Sequence, residues 1–191
     1  ATEAILNSVE KAERSSGTRI VSARVSISGG HIASMINRAV VAIPGRSRPI
    51  GPEDVARVLE AAAAVSIPSD RQVLHVIPRY FVVDGQEHVS DPVGMYGQRL
   101  DVETLIVTGA VSAIQNLTKC VEGAGVQVEE LILSSFASAE AVLEDEEKRQ
   151  GVVLADVGGG TTDVSVFADG SALHAAVLQV SGFHLTHDLV A

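Results

Sequence analysis

The spacing of apolar residues along the first half of the chain changes repeatedly between a helical and a strand period. Apolar positions three to four residues apart predict helices, and alternation of apolar with polar residues predicts strands that expose one side. The pattern predicts a helix over residues 2–15, strands over 21–27 and 35–43, a helix over 52–65, and strands over 73–83 and 96–100. Pro78 interrupts one of these strands and predicts an edge or a bulge there, because proline has no amide hydrogen.

The second half of the chain has a different pattern, in which short apolar runs occur without alternation. Runs of this kind lie at residues 105–107, 131–133 and 152–154, as expected of strands covered on both faces. Two successive strand–helix–strand units predict a parallel sheet, and therefore an α/β fold. The remaining predicted elements are helices over 110–121 and 135–149 and a strand over 173–180.

The run at residues 152–154 opens the most informative segment of the chain. It leads to Asp156, a glycine triplet follows, and a second apolar run begins after Asp163, which predicts a strand, a tight turn and a strand. Residues without a Cβ atom let backbone amides converge on one anion, and threonine hydroxyls add further donors. The candidate phosphate-binding residues are Gly158, Gly159, Gly160, Thr161 and Thr162.

Asp156 and Asp163 bracket the glycine turn with carboxylates. Carboxylates suit a hard cation such as Mg²⁺, usually through its water ligands. The segment therefore predicts a phosphate-binding hairpin for a Mg²⁺-nucleotide. A bare glycine triplet is also compatible with a plain flexible turn, but the flanking strands and the two aspartates favour the phosphate site. The glycine pair after Ser28 has no flanking carboxylate and predicts a plain turn.

Composition and charge narrow the range of partners. Hydrophobic residues make up 46% of the chain but aromatics only 3%, so Val, Ile, Leu and Ala must build the core. The formal net charge of −10 argues against nucleic acid or an anionic membrane surface as a general partner. The single cysteine, Cys120, excludes an intramolecular disulfide and fits a reducing compartment. Arg46 and Arg48 form a local basic spot, either solvated or used by an acidic partner segment.

The glycine hairpin and three further segments resemble the FtsA family of bacterial cell-division proteins, within the actin-like ATPase superfamily. The segments that carry the resemblance are residues 25–32, 73–78, 91–95 and 151–163. The resemblance implies an actin-like (ribonuclease H-like) partial fold with a small inserted α+β subdomain. It implies three parts, with residues 1–29 and 101–150 in the first large subdomain, 30–100 as the inserted subdomain, and 151–191 as the start of the second large subdomain.

For the site, the resemblance implies that the glycine triplet, Thr161 and Thr162 contact the β- and γ-phosphates of ATP, with Asp156 and Asp163 near the waters of Mg²⁺. It implies no catalytic residue, because Ser134 and Ser135 stand where many actin-like ATPases carry a Gln or Glu. We expect at most a weak ATPase in a longer parent protein. The family's first phosphate loop would precede residue 1, so we expect weak or absent nucleotide binding by this segment alone.

The resemblance also implies a cellular role. It predicts a polymer-forming protein that tethers the FtsZ ring to the membrane through regions outside this segment, at the cytoplasmic face of the division site. Self-association and recruitment of later division proteins are expected through the inserted subdomain at residues 30–100. Two alternatives remain open, a PilM-like pilus-assembly protein that binds ATP and a chaperone- or kinase-type ATPase of the same superfamily.

Overall fold

The computed structural model describes residues 1–45 and 48–190. Within these ranges the helices and strands are, in chain order, α1 Thr2–Ser16, β1 Ser22–Ile27, β2 Ala33–Ala42, α2 Pro52–Ala63, β3 Arg71–Val83, β4 Gln86–Val89, β5 Arg99–Ala110, α3 Val111–Glu122, β6 Gln127–Leu133, α4 Ser134–Val142, α5 Asp145–Gln150, β7 Val152–Val157, β8 Thr162–Ala168, β9 Ser171–Leu178 and α6 Gly182–Val190.

Several predicted elements are confirmed, each with its expected signal. Helix α1 ends at Gly17, which adopts the left-handed conformation with φ 68°. Helix α2 begins at Pro52, where the missing amide hydrogen costs nothing. The register of β3 against β5 shifts between Pro78 and Tyr80, so the predicted irregularity at Pro78 is a bulge.

The predicted parallel sheet is wrong. The strands form three separate sheets, a parallel pair β1–β6, an antiparallel sheet in the order β2–β5–β3–β4, and an antiparallel sheet in the order β7–β8–β9. The three apolar runs therefore lie in three different sheets. Helix α3 leads from β5 into another sheet because β5 is already paired along both edges, with β2 and with β3.

Strand β5 joins two strands that the sequence pattern separates. Residues 96–100 and 105–107 were predicted as distinct elements, but one strand of 12 residues runs from Arg99 to Ala110. The charged residues between the apolar runs are accommodated by ion pairs, Asp101 with Arg99 and Glu103 with Arg38. The predicted subdomain boundary between residues 100 and 101 falls inside this strand, and the division into subdomains stays a prediction.

The single helix predicted over residues 135–149 is also wrong, since α4 and α5 are separate. Leu143 is extended, with φ −98° and ψ 137°, and ends α4. The amide of Glu144 donates to the Glu147 carboxylate at 2.9 Å, a contact that starts α5. The four consecutive acidic residues at 144–147 thus occupy the N-cap and first turn of a new helix, where the helix dipole favours negative charge.

Strand β4 was missed, although the sequence carries its signal. Asp84 and Gly85 have positive φ angles of 47° and 91°, as a two-residue hairpin turn requires, and Asp-Gly is a common pair in such turns. The Asp84 carboxylate accepts hydrogen bonds from the amides of Gln98 and Arg99, at 3.0 and 2.9 Å. These bonds attach the β3–β4 turn to the beginning of β5.

Two hydrophobic clusters form the core, and strand β5 contributes to both. Leu100 and Val102 belong to the cluster beneath α2, while Leu105 and Val107 belong to the cluster shared with β1, β6, α4 and the β7–β8–β9 sheet. All four side chains are at most 1% exposed. Burial of each contributes on the order of 2 kcal/mol relative to exposure. Strand β5 therefore connects the β2–β5–β3–β4 sheet to the body that carries the glycine hairpin. We call this sheet the inserted sheet, after the subdomain predicted at residues 30–100.

A buried carboxylate anchors the α2 side of the β2–β5–β3–β4 sheet. The Asp54 side chain is fully buried and accepts two hydrogen bonds from Arg48, at 2.6 and 2.9 Å. Arg57 donates at 2.8 Å and the Gly51 amide at 3.0 Å. The Arg48 guanidinium lowers the pKa of Asp54 to about 2, against burial, which alone would raise it. Arg48 is thus committed within the chain, while Arg46 of the predicted basic spot lies outside the described residues.

This network predicts a specific acid sensitivity. A carboxyl group whose folded pKa is lowered contributes stability above its unfolded pKa of about 3.9, and that contribution is lost as pH falls towards about 2. Asp54→Asn should lower the melting temperature at pH 7 by roughly 5 °C and flatten the decline between pH 4 and 2. Glu53→Gln is the matched control, because Glu53 pairs with the same Arg48 from an exposed position. Equal effects of the two variants in thermal melts would contradict the role assigned to Asp54.

Candidate functional site

Strands β7 and β8 form the hairpin that the glycine motif predicts. The strands pair from Val152 opposite Phe167 to Val157 opposite Thr162 without a register shift. The Gly158 amide donates to the Thr161 carbonyl at 2.9 Å and closes the turn. The glycine triplet therefore forms the exposed tip of an ordered hairpin.

Nothing within the described chain requires glycine at two of the three tip positions. Gly158, Gly159 and Gly160 all lie outside the positive-φ region that favours glycine. A Cβ atom at Gly159 or Gly160 would meet no described atom within 4 Å, whereas at Gly158 it would lie 3.1 Å from the Thr161 carbonyl oxygen. The space beside Gly159 and Gly160 is open to an approaching group.

At the hairpin tip, two glycine carbonyls accept hydrogen bonds, whereas two glycine amides have no acceptor in the described chain. The carbonyls of Gly158 and Gly159 accept from the amides of Gly182 and Phe183, at 3.1 and 3.2 Å. The Ser181 hydroxyl also donates to the Gly159 carbonyl at 2.6 Å. Within residues 1–45 and 48–190, the amides of Gly159 and Gly160 donate to no protein acceptor. The tip is thus attached to the start of α6 through its carbonyls and keeps two amides available.

The two aspartates of the motif are a directly opposed cross-strand pair. Asp156 on β7 is the register partner of Asp163 on β8, so both side chains project from the same face of the hairpin. Ser138 of α4 donates to Asp156 at 2.7 Å, and Ser28 at the end of β1 donates to Asp163 at 2.6 Å. Like charges in this arrangement repel one another. A cation near the pair would relieve the repulsion.

The environments of the two aspartates differ. Asp163 is only 4% exposed, and its Oδ1 atom has no hydrogen-bond partner in the described part of the chain. An unpaired buried carboxylate oxygen is costly, so the site is incomplete as a purely internal network. Asp156 is partly exposed and accepts one serine hydroxyl. Asp156 is therefore the more accessible of the two to a hydrated cation.

The two threonines of the motif occupy unlike positions. The Thr162 hydroxyl donates to the Val180 carbonyl at 2.6 Å, so its hydrogen is committed to the backbone between β9 and α6. The Thr161 hydroxyl lies 3.2 Å from Ser28 Oγ and 3.3 Å from Asp163 Oδ2, next to the carboxylate pair. Thr161 is thus better placed than Thr162 to donate to an anion at the tip. The phosphate roles of the five tip residues and the Mg²⁺ roles of the aspartates stay predictions.

Ser28 and Ser138 are contacts of the site that sequence reasoning missed. Serines are common, and neither residue is close in sequence to the motif. The turn after Ser28 has local reasons for its glycines, since Gly29 has φ 144° and a Cβ atom at Gly30 would overlap the Gln179 side chain. Those glycines agree with the plain turn that was predicted, but the Ser28 hydroxyl reaches the hairpin.

The residues after β6 lack a free carboxylate at the position expected of a catalytic group. Ser135 is buried, and its hydroxyl oxygen accepts from Ser165 at 2.5 Å. Glu140, the nearest acid along α4, pairs with Lys148 at 2.6 Å and is 78% exposed. Neither side chain contacts the aspartate pair. The expectation of weak hydrolysis stays a prediction.

His75 holds the beginning of α4 against β3. Its Nε2 atom accepts a hydrogen bond from the Leu133 amide at 3.0 Å, which requires a neutral ring with the hydrogen on Nδ1. Burial lowers the pKa of His75 and favours this neutral form. His75 therefore has a structural contact, and it helps to place the helix that carries Ser138.

Comparison with known proteins gives consistent results along the chain. Residues 29–108 match the family model described as the SHS2 domain inserted in FTSA. The chain is 44% identical over 187 residues to the cell division protein FtsA of Pseudomonas aeruginosa and 46% identical over 189 residues to that of Borreliella burgdorferi. It is 37% identical over 185 residues to the FtsA of Bacillus subtilis.

These matches cover 97–99% of this chain but only 42–46% of each relative. The chain thus spans less than half the length of the curated relatives that it matches. The family model overlaps the inserted subdomain predicted at residues 30–100.

Comparison with a solved structure shows the fold. The PilM–PilN type IV pilus biogenesis complex aligns with a TM-score of 0.61 over 96% of this chain and 50% of its own, at 18% identity. The predicted actin-like fold is confirmed by this likeness. Among the helices in the described ranges, none combines the length and apolarity that a membrane crossing requires.

The open space at the hairpin tip predicts that folding tolerates a side chain there. Gly160→Ala should change the free energy of unfolding by less than about 1 kcal/mol, with a stabilising sign, because alanine restricts the unfolded chain. Gly170→Ala, in the turn at the other end of β8, should destabilise by about 1 kcal/mol or more, since Gly170 has φ 77° and no crowded Cβ position. Urea unfolding measures both. An equal loss in the two variants would show that the fold itself requires glycine at the tip.

Proposed function

Because this chain belongs to the FtsA family of bacterial cell-division proteins, we propose that its glycine hairpin binds the phosphates of ATP with Mg²⁺ and acts as a nucleotide-dependent switch. The chain spans less than half of its relatives, so this activity is proposed for the full-length protein. Nucleotide binding needs opposing donors from outside the chain, and we expect the segment alone to bind weakly.

The observation that carries the proposal is the state of the hairpin tip. Among the residues that the structure describes, the amides of Gly159 and Gly160 find no acceptor, a Cβ atom at either position would meet no atom within 4 Å, and neither backbone conformation requires glycine. Amides of this kind form a concentrated positive region that suits a phosphate group. Thr161 adds a hydroxyl beside them, while Thr162 would have to release the Val180 carbonyl to contribute.

The aspartate pair supports Mg²⁺ as the companion of the nucleotide. Within the described part of the chain, no group of three or more His, Cys, Asp or Glu side chains is arranged to hold a metal. A cation here would take most of its ligands from phosphate and water, which is typical of Mg²⁺. When bound, Mg²⁺ neutralises part of the phosphate charge. Asp156 would orient its water ligands, and Asp163, which is buried, would hold Thr161 and Ser28 in place.

The proposed role is switching rather than rapid turnover. Ser135 and Glu140 are both engaged away from the carboxylate pair, which leaves no evident base for an attacking water among the contacts of the described site. Slow or absent hydrolysis would let the bound nucleotide stabilise one arrangement of the protein. We therefore propose that the binding of nucleotide, and not the rate of its hydrolysis, controls the role of the protein in cell division.

We further propose that the inserted sheet carries contacts with neighbouring copies and with later division proteins. Strand β2 is an edge strand of ten residues, with β5 on one side. Its side chains Met35, Ile36 and Val40 are 43–53% exposed, an unusual amount for apolar residues of a long edge strand. Attachment to FtsZ and to the cytoplasmic face of the membrane would use parts of the full-length protein beyond this chain.

The alternative of a pilus-assembly protein has weaker support. The likeness to the PilM–PilN complex is at 18% identity, which shows a shared fold only. The relatives at 37–46% identity cover nearly the whole chain and are named as cell division proteins. The proposal therefore follows the division family.

A charge at the hairpin tip tests the proposed function. Gly159→Asp in the full-length protein should weaken Mg²⁺-ATP binding by at least about tenfold, because a carboxylate would stand where phosphate oxygens bind. The measurement is a calorimetric or fluorescence titration with Mg²⁺-ATP.

Ser66→Asp is the control for added charge, since Ser66 is exposed in the connection between α2 and β3. Both variants should fold, because a Cβ atom at Gly159 meets no described atom within 4 Å and Ser66 is exposed. Unchanged affinity in Gly159→Asp, or no binding by the parent protein, would contradict a phosphate site at the tip.

A further inference from the structure

Ser28 lies where the β1–β6 pair, the inserted sheet and the glycine hairpin meet. It follows the last residue of β1, and the turn Gly29–Gly30 carries the chain from it towards β2. Its side chain is partly buried and faces the hairpin rather than its own strand neighbours. One hydroxyl group thus contacts the candidate site from the entrance to the inserted sheet.

The contacts of Ser28 form a closed triangle with two residues of the motif. Ser28 Oγ donates to Asp163 Oδ2 at 2.6 Å and lies 3.2 Å from Thr161 Oγ1, and Thr161 Oγ1 donates to the same Asp163 oxygen at 3.3 Å. The Ser28 bond is short and charge-assisted, whereas the Thr161 bond is long. Asp163 therefore depends chiefly on Ser28 for a donor.

The triangle links Thr161 to a position outside the hairpin. If Thr161 turns its hydrogen towards an anion at the tip, Asp163 loses its weaker bond and keeps the one from Ser28. Because Asp163 is buried, with its other oxygen unpaired, loss of Ser28 as well would leave the carboxylate without any described partner. Ser28 is thus the contact that allows Thr161 to exchange partners.

Other serine contacts between the hairpin sheet and the inserted sheet are of a different kind. Ser34 of β2 donates to the Ala175 carbonyl at 2.7 Å, and Ser171 of β9 donates to the Pro78 carbonyl at 2.7 Å. These bonds connect side chains to backbone that has no charge to be stabilised. Of the three, only the Ser28 contact ends on residues of the candidate site.

We propose that Ser28 is a positioning residue of the glycine hairpin, which fixes Asp163 and Thr161 and couples the hairpin tip to the turn that enters the inserted sheet. The positioning role stands on the contacts alone. The coupling to a bound nucleotide rests on the proposed function.

Hydrogen–deuterium exchange of the full-length protein without nucleotide tests the positioning role. Ser28→Ala should speed exchange of the hydrogen-bonded amides within residues 158–163, the Gly158 amide among them, by about tenfold, the scale of one hydrogen bond to a charged group. Ser26→Ala, at an exposed position two residues earlier on β1, should leave it unchanged. Ser28→Thr retains the hydroxyl and should restore slow exchange. Unchanged exchange at the tip in Ser28→Ala would overturn the proposal.

The same measurement with Mg²⁺-ATP tests the coupling. In the parent protein, nucleotide should slow exchange both at residues 158–163 and at residues 29–36, and Ser28→Ala should retain the first effect and lose the second. Retention of both effects in Ser28→Ala would overturn the coupling. If nucleotide protects neither segment in the parent, the proposed function fails, while a faster tip in nucleotide-free Ser28→Ala would still support positioning.

Discussion

Two carboxylates stand directly opposite each other at the base of the glycine turn, and the elements around them supply the donors that make this arrangement stable. Asp156 receives the Ser138 hydroxyl from α4, and Asp163 receives the Ser28 hydroxyl from the end of β1. Each donor comes from a different neighbouring element, so α4 and the end of β1 both hold the same face of the hairpin. Two unfavourable features remain, the Asp163 Oδ1 atom, which has no hydrogen-bond partner in residues 1–45 and 48–190, and the repulsion between the two carboxylates. A hydrated cation with a phosphate group at the free amides would relieve both the repulsion and the excess of positive donors at the tip.

The inserted sheet is attached to the body that carries this site by hydrophobic packing as well as by hydrogen bonds. Strand β5 passes through both hydrophobic clusters, with Leu100 in one and Leu105 in the other. The α2 side of the sheet has its own anchor in the buried Asp54, which is independent of the hairpin. The sheet is thus expected to respond as a body to displacement at its base, where β5 and the Ser28 turn meet the hairpin. Under the proposed coupling, a change at the hairpin tip would reach the inserted sheet through this base.

Sequence reasoning identified the local features and failed where distant segments meet. The hairpin and the ends of α1 and α2 were predictable because glycine, proline and apolar spacing act within a few residues. The parallel sheet was wrong because helical crossovers were assumed to return to the same sheet, whereas β5 was already paired on both edges. The break at Leu143 was hidden within a helical pattern, and β4 was missed although Asp84-Gly85 signals its turn. Ser28 and Ser138 could not be found from sequence, because their contacts with the aspartates span 135 and 18 residues.

The most direct test of this account is the dependence of ATP affinity on Mg²⁺ in the full-length protein, with and without the accessible carboxylate. Titrations with ATP in Mg²⁺ and in EDTA should differ by at least about tenfold in the parent protein, because the cation offsets phosphate charge beside the aspartate pair. Asp156→Asn keeps an oxygen that accepts the Ser138 hydroxyl, so the hairpin should remain folded while most of that difference disappears. An Asp156→Asn variant that retains the full Mg²⁺ dependence, or a parent protein whose ATP affinity is the same in EDTA, would contradict the account.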